Sequence, residues 1–284
     1  MQGIALHDGT TMPALGLGTW RMGESRGARA TETAAVRRAF DMGYRLIDTA
    51  EMYGEGRAEE VVGAALAQAV RAGDLRREDV FVVSKVYPHN ASRQGVVAAC
   101  DRSRRRLGLD RIDLYLLHWR GAHRLSETVA GFRALVEAGA IARWGVSNFD
   151  VDDLEELAGV AERAECAANQ VWFSLNERGP EFALLPWMRE RGMALMAYSP
   201  IDQGQAAQDE TLRAIGARHG WSAAQVALAW VLSRPGVVAI PKAVAEKHQR
   251  ENLAAGGFAL GAEDLALIDA AFPPPRGKTA LSIN

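Results

Sequence analysis

The sequence predicts a (β/α)8 barrel of the TIM type, carrying an N-terminal β-hairpin and two extra helices. Eight short β-rich runs alternate with stretches whose apolar residues recur at helical spacing. Strands separated by helix-length crossovers pair in parallel. No Pro/Ser-rich linker or change of composition divides the 284 residues, so one domain over residues 1–284 is expected, close to the ~250 residues such a barrel typically takes. An open doubly wound sheet fits the same alternation, but eight units in an undivided chain favour closure. The dinucleotide fingerprint of such open sheets is absent: Gly16-Leu17-Gly18 begins like G-x-G-x-x-G, yet Arg21 stands at the third glycine position.

In chain order, Ile4–Pro13 with Asp8-Gly9 at a tight turn reads as a hairpin capping the barrel floor. The strands are expected at Leu15–Trp20, Arg45–Asp48, Val80–Lys85, Ile112–His118, Ala142–Ser147, Ala168–Val171, Ala194–Tyr198 and Val237–Pro241. Helices are expected at Thr31–Met42, Ala58–Arg71, Ser92–Leu107, Ser126–Glu137, Val151–Arg163, Phe182–Arg191 and Ser222–Leu232. In the last of these Val226, Ala229 and Trp230 share one buried face. Asp209–His219 and Ala262–Ala271 supply the two extra helices, and the Pro273-Pro274-Pro275 tail is expected to cross the barrel surface as an extended segment.

Composition excludes several classes. Lys and Arg total 33 against 35 Asp and Glu, so no global basic field gathers nucleic acid or anionic lipid. The run Arg102, Arg104, Arg105, Arg106, flanked by Asp101 and Asp110, reads as a solvated helix face. Two cysteines, Cys100 and Cys166, make no disulfide framework and lack metal-ligand spacing; no metal is expected. Without a charged n-region before an apolar run, or an apolar stretch of membrane-spanning length, a cytoplasmic location is expected.

In such a barrel the chemistry sits at the C-terminal ends of the strands. The second strand ends in Asp48, the third in Lys85 and the fourth in His118, and Tyr53 follows Asp48 in the loop above the same rim. Singly, each has a bland reading: a turn-initiating Asp, a surface Lys, a hydrogen-bonded core His, a loop aromatic. Together they have a mechanism. A phenol with a pKa near 10 is a reluctant acid. An ammonium about 4 Å away interacts by about 4 kcal/mol at most, enough to lower it by up to about three units. A carboxylate keeps that ammonium charged and softens the shift, while a neutral imidazole orients a carbonyl oxygen. These are the parts for protonating a carbonyl oxygen as its carbon receives a nucleophile, such as hydride from a cofactor.

The chain resembles the aldo-keto reductases. The segments that carry the resemblance are Gly16-Leu17-Gly18-Thr19-Trp20, Tyr44-Arg45-Leu46-Ile47-Asp48-Thr49-Ala50, Val83-Ser84-Lys85-Val86, Asp113-Leu114-Tyr115-Leu116-Leu117-His118-Trp119, Gly145-Val146-Ser147-Asn148-Phe149, Ala197-Tyr198-Ser199-Pro200 and Ile240-Pro241-Lys242. The resemblance implies a monomeric NADPH-dependent barrel reductase acting on a small carbonyl substrate. It makes Tyr53 the general acid/base, Lys85 and Asp48 its tuning pair, and His118 the carbonyl-orienting residue. It further implies that Ser147, Asn148 and Gln170 hold the nicotinamide carboxamide. Tyr198 stacks on the ring, and Ser199 and Ile201 follow the pyrophosphate. Trp20 walls the substrate pocket, which Trp119 and Trp172 are expected to shape as well. Lys242 lies near the 2′-phosphate, and Glu251 and Asn252 at the adenine. Taken without the family, Asn148 equally caps the helix near Val151.

The phosphate end departs from the family pattern. Ala243 stands where Ser or Thr is common, and His248 where an arginine is common. Arg250 lies about 200° around a helix from that position. NADPH preference is therefore weakened, and NADH remains open. Glu51-Met52-Tyr53, Leu185-Pro186-Trp187 and Gly277-Lys278-Thr279-Ala280-Leu281 point to the short bacterial members that include methylglyoxal reductases. Two other readings stand beside the reductase: a redox-sensing protein of this fold that binds cofactor with little turnover, and a Schiff-base aldolase using Lys85.

Overall fold

In the computed structural model, which describes residues 3–162 and 165–283, an antiparallel hairpin comes first: β1 (Gly3–Ala5) and β2 (Thr11–Pro13). Eight parallel strands follow, each hydrogen-bonded to the next in chain order. They are β3 (Leu17–Gly18), β4 (Leu46–Asp48), β5 (Phe81–Val86), β6 (Leu114–Leu117), β7 (Trp144–Ser147), β8 (Cys166–Trp172), β9 (Ala194–Tyr198) and β10 (Val237–Ala239). The intervening helices are α1 (Arg29–Met42), α2 (Arg57–Ala72), α3 (Arg93–Leu107), α4 (Leu125–Glu137), α5 (Val151–Ala158), α6 (Leu184–Glu190), α7 (Glu210–His219) and α8 (Ala223–Leu232). Beyond β10 come α9 (Glu246–Ala255) and α10 (Ala262–Ala271).

The ring closes between its first and last strands through parallel bridges Leu15↔Ala239 and Gly18↔Lys242. Gly16 N donates to Ala239 O (2.9 Å) and Gly18 N to Pro241 O (3.1 Å). Closure demands glycine at 18: a Cβ there would lie 2.6 Å from Ile240 O. The expected first strand, Leu15–Trp20, is accordingly split. Only Leu17–Gly18 ladders onto β4, while the residues before it bond back to β10.

Period-two alternation divides the apolar side chains into two cores. Leu46, Phe81, Val83, Leu114, Leu116, Met196, Val238 and Ile240 fill the barrel interior, with Leu6 and Met12 of the hairpin beneath them. Ile47, Val82, Tyr115, Leu117, Val146, Leu195 and Ala239 face the helices. Continuing the interior register up each strand leads to Asp48, Lys85, His118, Gln170 and Tyr198, so these candidate site residues are the top layer of the interior.

Several helices differ from expectation. The fifth ends at Ala158 instead of Arg163, since Gly159, a poor helix former, takes the C-cap; Arg163 itself lies outside the described residues. Its N-cap is Asp150, whose carboxylate accepts from Val151 N, and not Asn148. The sixth starts at Leu184 because Ala183 takes non-helical angles. Nearly all of α8 is buried, not one face, because it packs against α7, α9 and β10. Helix α9 has no apolar period to announce it: its buried stripe is Gln249, Asn252 and Ala255. Gln249 accepts from Arg38 Nε (2.9 Å) and donates to Ala35 O (2.9 Å), seating α9 on α1. Burial pushes both cysteine thiols up to about 12. Among the described residues no helix is long and apolar enough to cross a membrane, and no group of three His, Cys, Asp or Glu could hold a metal ion.

Candidate active site

Asp48 ends β4, Lys85 lies on β5 and His118 follows β6, and their shared interior register brings them together at the rim. Lys85 is fully buried. Its Nζ donates to Asp48 Oδ2 (2.7 Å) and Thr49 O (3.0 Å) and lies 3.1 Å from Tyr53 Oη. Gln170 Nε2 donates to the other Asp48 oxygen at 2.8 Å. The imidazole of His118 meets the Tyr53 ring edge-on, 5.7 Å between centroids. All four sequence-predicted residues therefore converge.

Charge states follow from these contacts. Burial opposes the Lys85 ammonium, but Asp48 and Tyr53 outweigh it and hold its pKa above the usual 10.5. Burial also raises the Tyr53 phenol above 10, with Asp48 adding to it, and the lowering by Lys85 does not compensate. This corrects the expectation of a phenol made more acidic: the same enclosure that brings the ammonium close desolvates the phenolate. Burial, helped by Lys85, drives His118 well below 6.5 and keeps the imidazole neutral. Its Nδ1 is buried without a hydrogen-bond partner, unlike a satisfied core histidine. The ammonium of Lys85, held by Asp48 and Tyr53, speaks against the Schiff-base reading, which needs a free amine.

A cavity of about 730 Å³ opens over this group. Trp20, Met52, Trp119 and Ile283 line it beside Asp48, Tyr53 and His118, while Lys85 lies beneath the lining; Ser147, Asn148, Gln170 and Tyr198 continue it, with Ser199, Ile201, Lys242, His248, Glu251 and Asn252. One hydrogen-bond chain joins the two parts. Tyr198 Oη donates to Asn148 Oδ1 (2.9 Å), and Asn148 Nδ2 donates to Ser147 Oγ (3.2 Å). Ser147 Oγ donates to Gln170 O (2.8 Å), and the Gln170 amide reaches Asp48. Asn148 takes φ 59° to hold its place.

Trp172 is not among the residues lining the cavity. It is half-buried, and its indole Nε1 donates to Asp202 Oδ1 (3.2 Å), which also accepts on Oδ2 from Asn176 (2.7 Å). It thus anchors the loop after β9, where Ser199, Asp202 and Gln203 have positive φ. Arg250 is also outside the cavity, paired with Glu246 at 2.7 Å. Two further cations line the cavity, Arg21 and Lys247, the second adjacent in sequence to His248. Ile283 was missed too, because only the folded tail brings it there; Lys278, bonded to Asp152 at 2.8 Å, anchors that tail. The arginine run is no uniformly solvated face: Arg102 reaches Glu51 (3.1 Å) and Arg106 reaches Glu59 (2.6 Å), both carboxylates being buried.

Residues 14–272 match the sequence model of the Aldo/keto reductase family. The chain belongs to this family. It is 48% identical over 285 residues to the methylglyoxal reductase YeaE of Escherichia coli K12, covering 99% of this chain and 98% of that one. It is 39% identical over 267 residues to the glyoxal reductase of Bacillus subtilis 168, covering 94% and 91% respectively. An aldo-keto reductase from Klebsiella pneumoniae, solved in complex with NADPH, superposes with a TM-score of 0.93 at 43% identity, covering 100% of this chain and 99% of that one.

The ion pair at the base of the site yields a stability prediction. Lys85→Met strands the buried Asp48 carboxylate and is expected to cost about 3–5 kcal/mol. Adding Asp48→Leu removes the stranded charge, so the double variant should unfold at a higher urea concentration than Lys85→Met alone. A lower midpoint for the double variant would contradict the pairing.

Proposed function

We propose that this aldo-keto reductase uses NADPH to reduce small aldehydes and ketones, including 2-oxoaldehydes such as methylglyoxal, with Tyr53 as the proton donor. The observation that carries the reading is the Lys85 ammonium, bonded at once to Asp48 and the Tyr53 hydroxyl beneath a single cavity. The relatives named as methylglyoxal and glyoxal reductases, and the NADPH of the Klebsiella structure, support it.

The cavity suits a dinucleotide chemically. Amide and hydroxyl groups of Ser147, Asn148 and Gln170 cluster beside Tyr53 and would hold the carboxamide, with the Tyr198 ring against the nicotinamide. Lys242 and Lys247 supply positive charge for phosphate, and Glu251 and Asn252 would take the adenine. When bound, NADPH supplies hydride to the carbonyl carbon. The Tyr53 Oη passes its proton to the carbonyl oxygen, and Lys85 steadies the phenolate left behind. Asp48 keeps Lys85 charged for that purpose. His118, neutral, orients the oxygen without competing as an acid. Trp20, Trp119, Met52 and Ile283 form an apolar wall for the remainder of a small substrate.

Tyr53→Phe should leave NADPH affinity within about twofold, measured by fluorescence titration, and lower methylglyoxal reduction by about 10²–10⁴-fold. Full activity in that variant would refute the acid assignment, and a parent that binds NADPH with negligible turnover would favour a sensor. With the phenol above 10 and the imidazole well below 6.5, both groups keep their working form through neutrality. The reduction kcat/KM should therefore stay level from about pH 6.5 to 9 and fall only as rising pH deprotonates Tyr53. An inflection near 6.5 would show His118 titrating. His248→Arg adds a permanent charge at the mouth and should raise the NADPH-over-NADH preference about 5- to 20-fold, as expected for a charge-assisted phosphate contact. An unchanged ratio of the two dissociation constants would place the phosphate elsewhere.

A further inference from the structure

We propose that Glu51 is a positioning residue of the reaction, holding the Tyr53 hydroxyl at Lys85 through a carboxylate clamped by Arg102. The inference rests on the reading of Tyr53 as the acid. The segment after β4 is held from within by single-turn backbone hydrogen bonds, such as Tyr53 N to Ala50 O (3.1 Å) and Glu55 N to Met52 O (3.1 Å). Gly54 (φ 55°), Glu55 (φ 57°) and Gly56 (φ 88°) are three successive left-handed residues directly after Tyr53, and Glu55 is not glycine. Backbone of this kind persists only where its surroundings impose it.

Glu51 supplies that imposition. It stands two residues before Tyr53 and is only 6% exposed. Its Oε1 accepts from Tyr87 N (2.8 Å) and Asn90 Nδ2 (3.0 Å), and its Oε2 from Arg102 Nη2 (3.1 Å), with Arg106 Nη2 at 4.0 Å. Its own N donates to Lys85 O at 3.3 Å, joining the segment to the backbone of the residue whose ammonium meets Tyr53. One carboxylate thus gathers the loop after β4, the loop after β5 and helix α3. Tyr87 in turn meets Trp119 edge-on at 5.8 Å, so the acid's loop and the pocket wall share an anchor.

The seat beneath is equally defined. A Cβ on Gly56 would fall 2.5 Å from Arg106 Nε, so the guanidinium lies directly under the left-handed stretch. Arg106 Nε donates to Glu59 Oε2 (2.6 Å), and Glu59 Oε1 accepts from Ser84 Oγ (2.5 Å), the residue preceding Lys85. Two buried carboxylates and two arginines therefore back the catalytic pair from the helix side. A buried charge needs such partners. Loss of the Glu51 charge would leave the loop its backbone contacts but release its tie to α3.

The test uses the full chain with NADPH and methylglyoxal. Glu51→Gln keeps an acceptor for Tyr87 N and Asn90 while removing the charge facing Arg102. Arg102→Met, at a half-exposed position, removes the clamp from the other side. Both should lower kcat by about 10- to 100-fold, the scale of a misplaced reacting group, with the NADPH dissociation constant and the methylglyoxal KM within about twofold. The double variant should be no slower than the worse single, because the two act through one contact. Folded single variants with kcat within twofold of the parent would overturn the proposal. A fall in kcat matched by weaker NADPH binding and a lower Tm would also overturn it, as general loosening. Tyr53→Phe in the same assay separates the two claims: its loss of rate beside an active Glu51→Gln defeats the positioning role alone, whereas full rate in Tyr53→Phe defeats the acid reading and this inference with it.

Discussion

The buried pair of Asp48 and Lys85 is the constraint on which the site depends. An ammonium without solvent is tolerable only beside a carboxylate, and both must have their remaining hydrogen-bonding capacity met. Thr49 O and Tyr53 Oη meet it for Lys85, and Gln170 meets it for Asp48. Satisfying the pair thus places the phenol at one side and the amide of β8 at the other. The chemistry at Tyr53 and the hydrogen-bond chain to Tyr198 have one origin, the need to keep one charge stable inside a barrel.

The barrel makes that arrangement possible through strand parity. Side chains on alternate positions point inward, so an apolar layer of Leu46, Val83, Leu116 and Met196 lies below the polar layer that ends in Asp48, Lys85, His118 and Tyr198. The lower layer excludes water from beneath the pair, and the helices exclude it from outside. That exclusion raises the Tyr53 pKa and lowers that of His118 together. In the proposed reaction the first direction keeps Tyr53 protonated and the second keeps His118 neutral. The ammonium of Lys85, 3.1 Å from the hydroxyl, offsets part of the rise that burial imposes on Tyr53.

Charge outside the barrel is organised as well. The arginines of α3 satisfy Glu51 and Glu59, which sit behind Lys85 and Tyr53, and the loop carrying Tyr53 is mounted on them. On the opposite side of the site, Trp172 and Asn176 hold Asp202 in a loop with three positive-φ residues. These two strained loops are therefore each pinned by a buried carboxylate, because such a group offers several acceptor positions to backbone and side-chain donors at once.

Strand alternation, helical spacing and the polar residues at strand ends were all local properties, so the sequence by itself determined the eightfold repeat and the four residues at its rim. Segment ends were less legible, since Gly159 and Ala183 shorten helices that the apolar spacing extends. The helix around His248 and Arg250 had no legible bounds because its inward stripe is polar, and Trp172 was misplaced because its indole answers to Asp202, thirty residues away in the chain. Only the tertiary structure decided which charges are buried. Glu51 and Arg102 look like ordinary surface residues until folding brings two loops and a helix together, and the sign of the Tyr53 shift depends on how much water that packing removes. Desolvation is a property of the assembled surroundings, and no run of neighbouring residues encodes it.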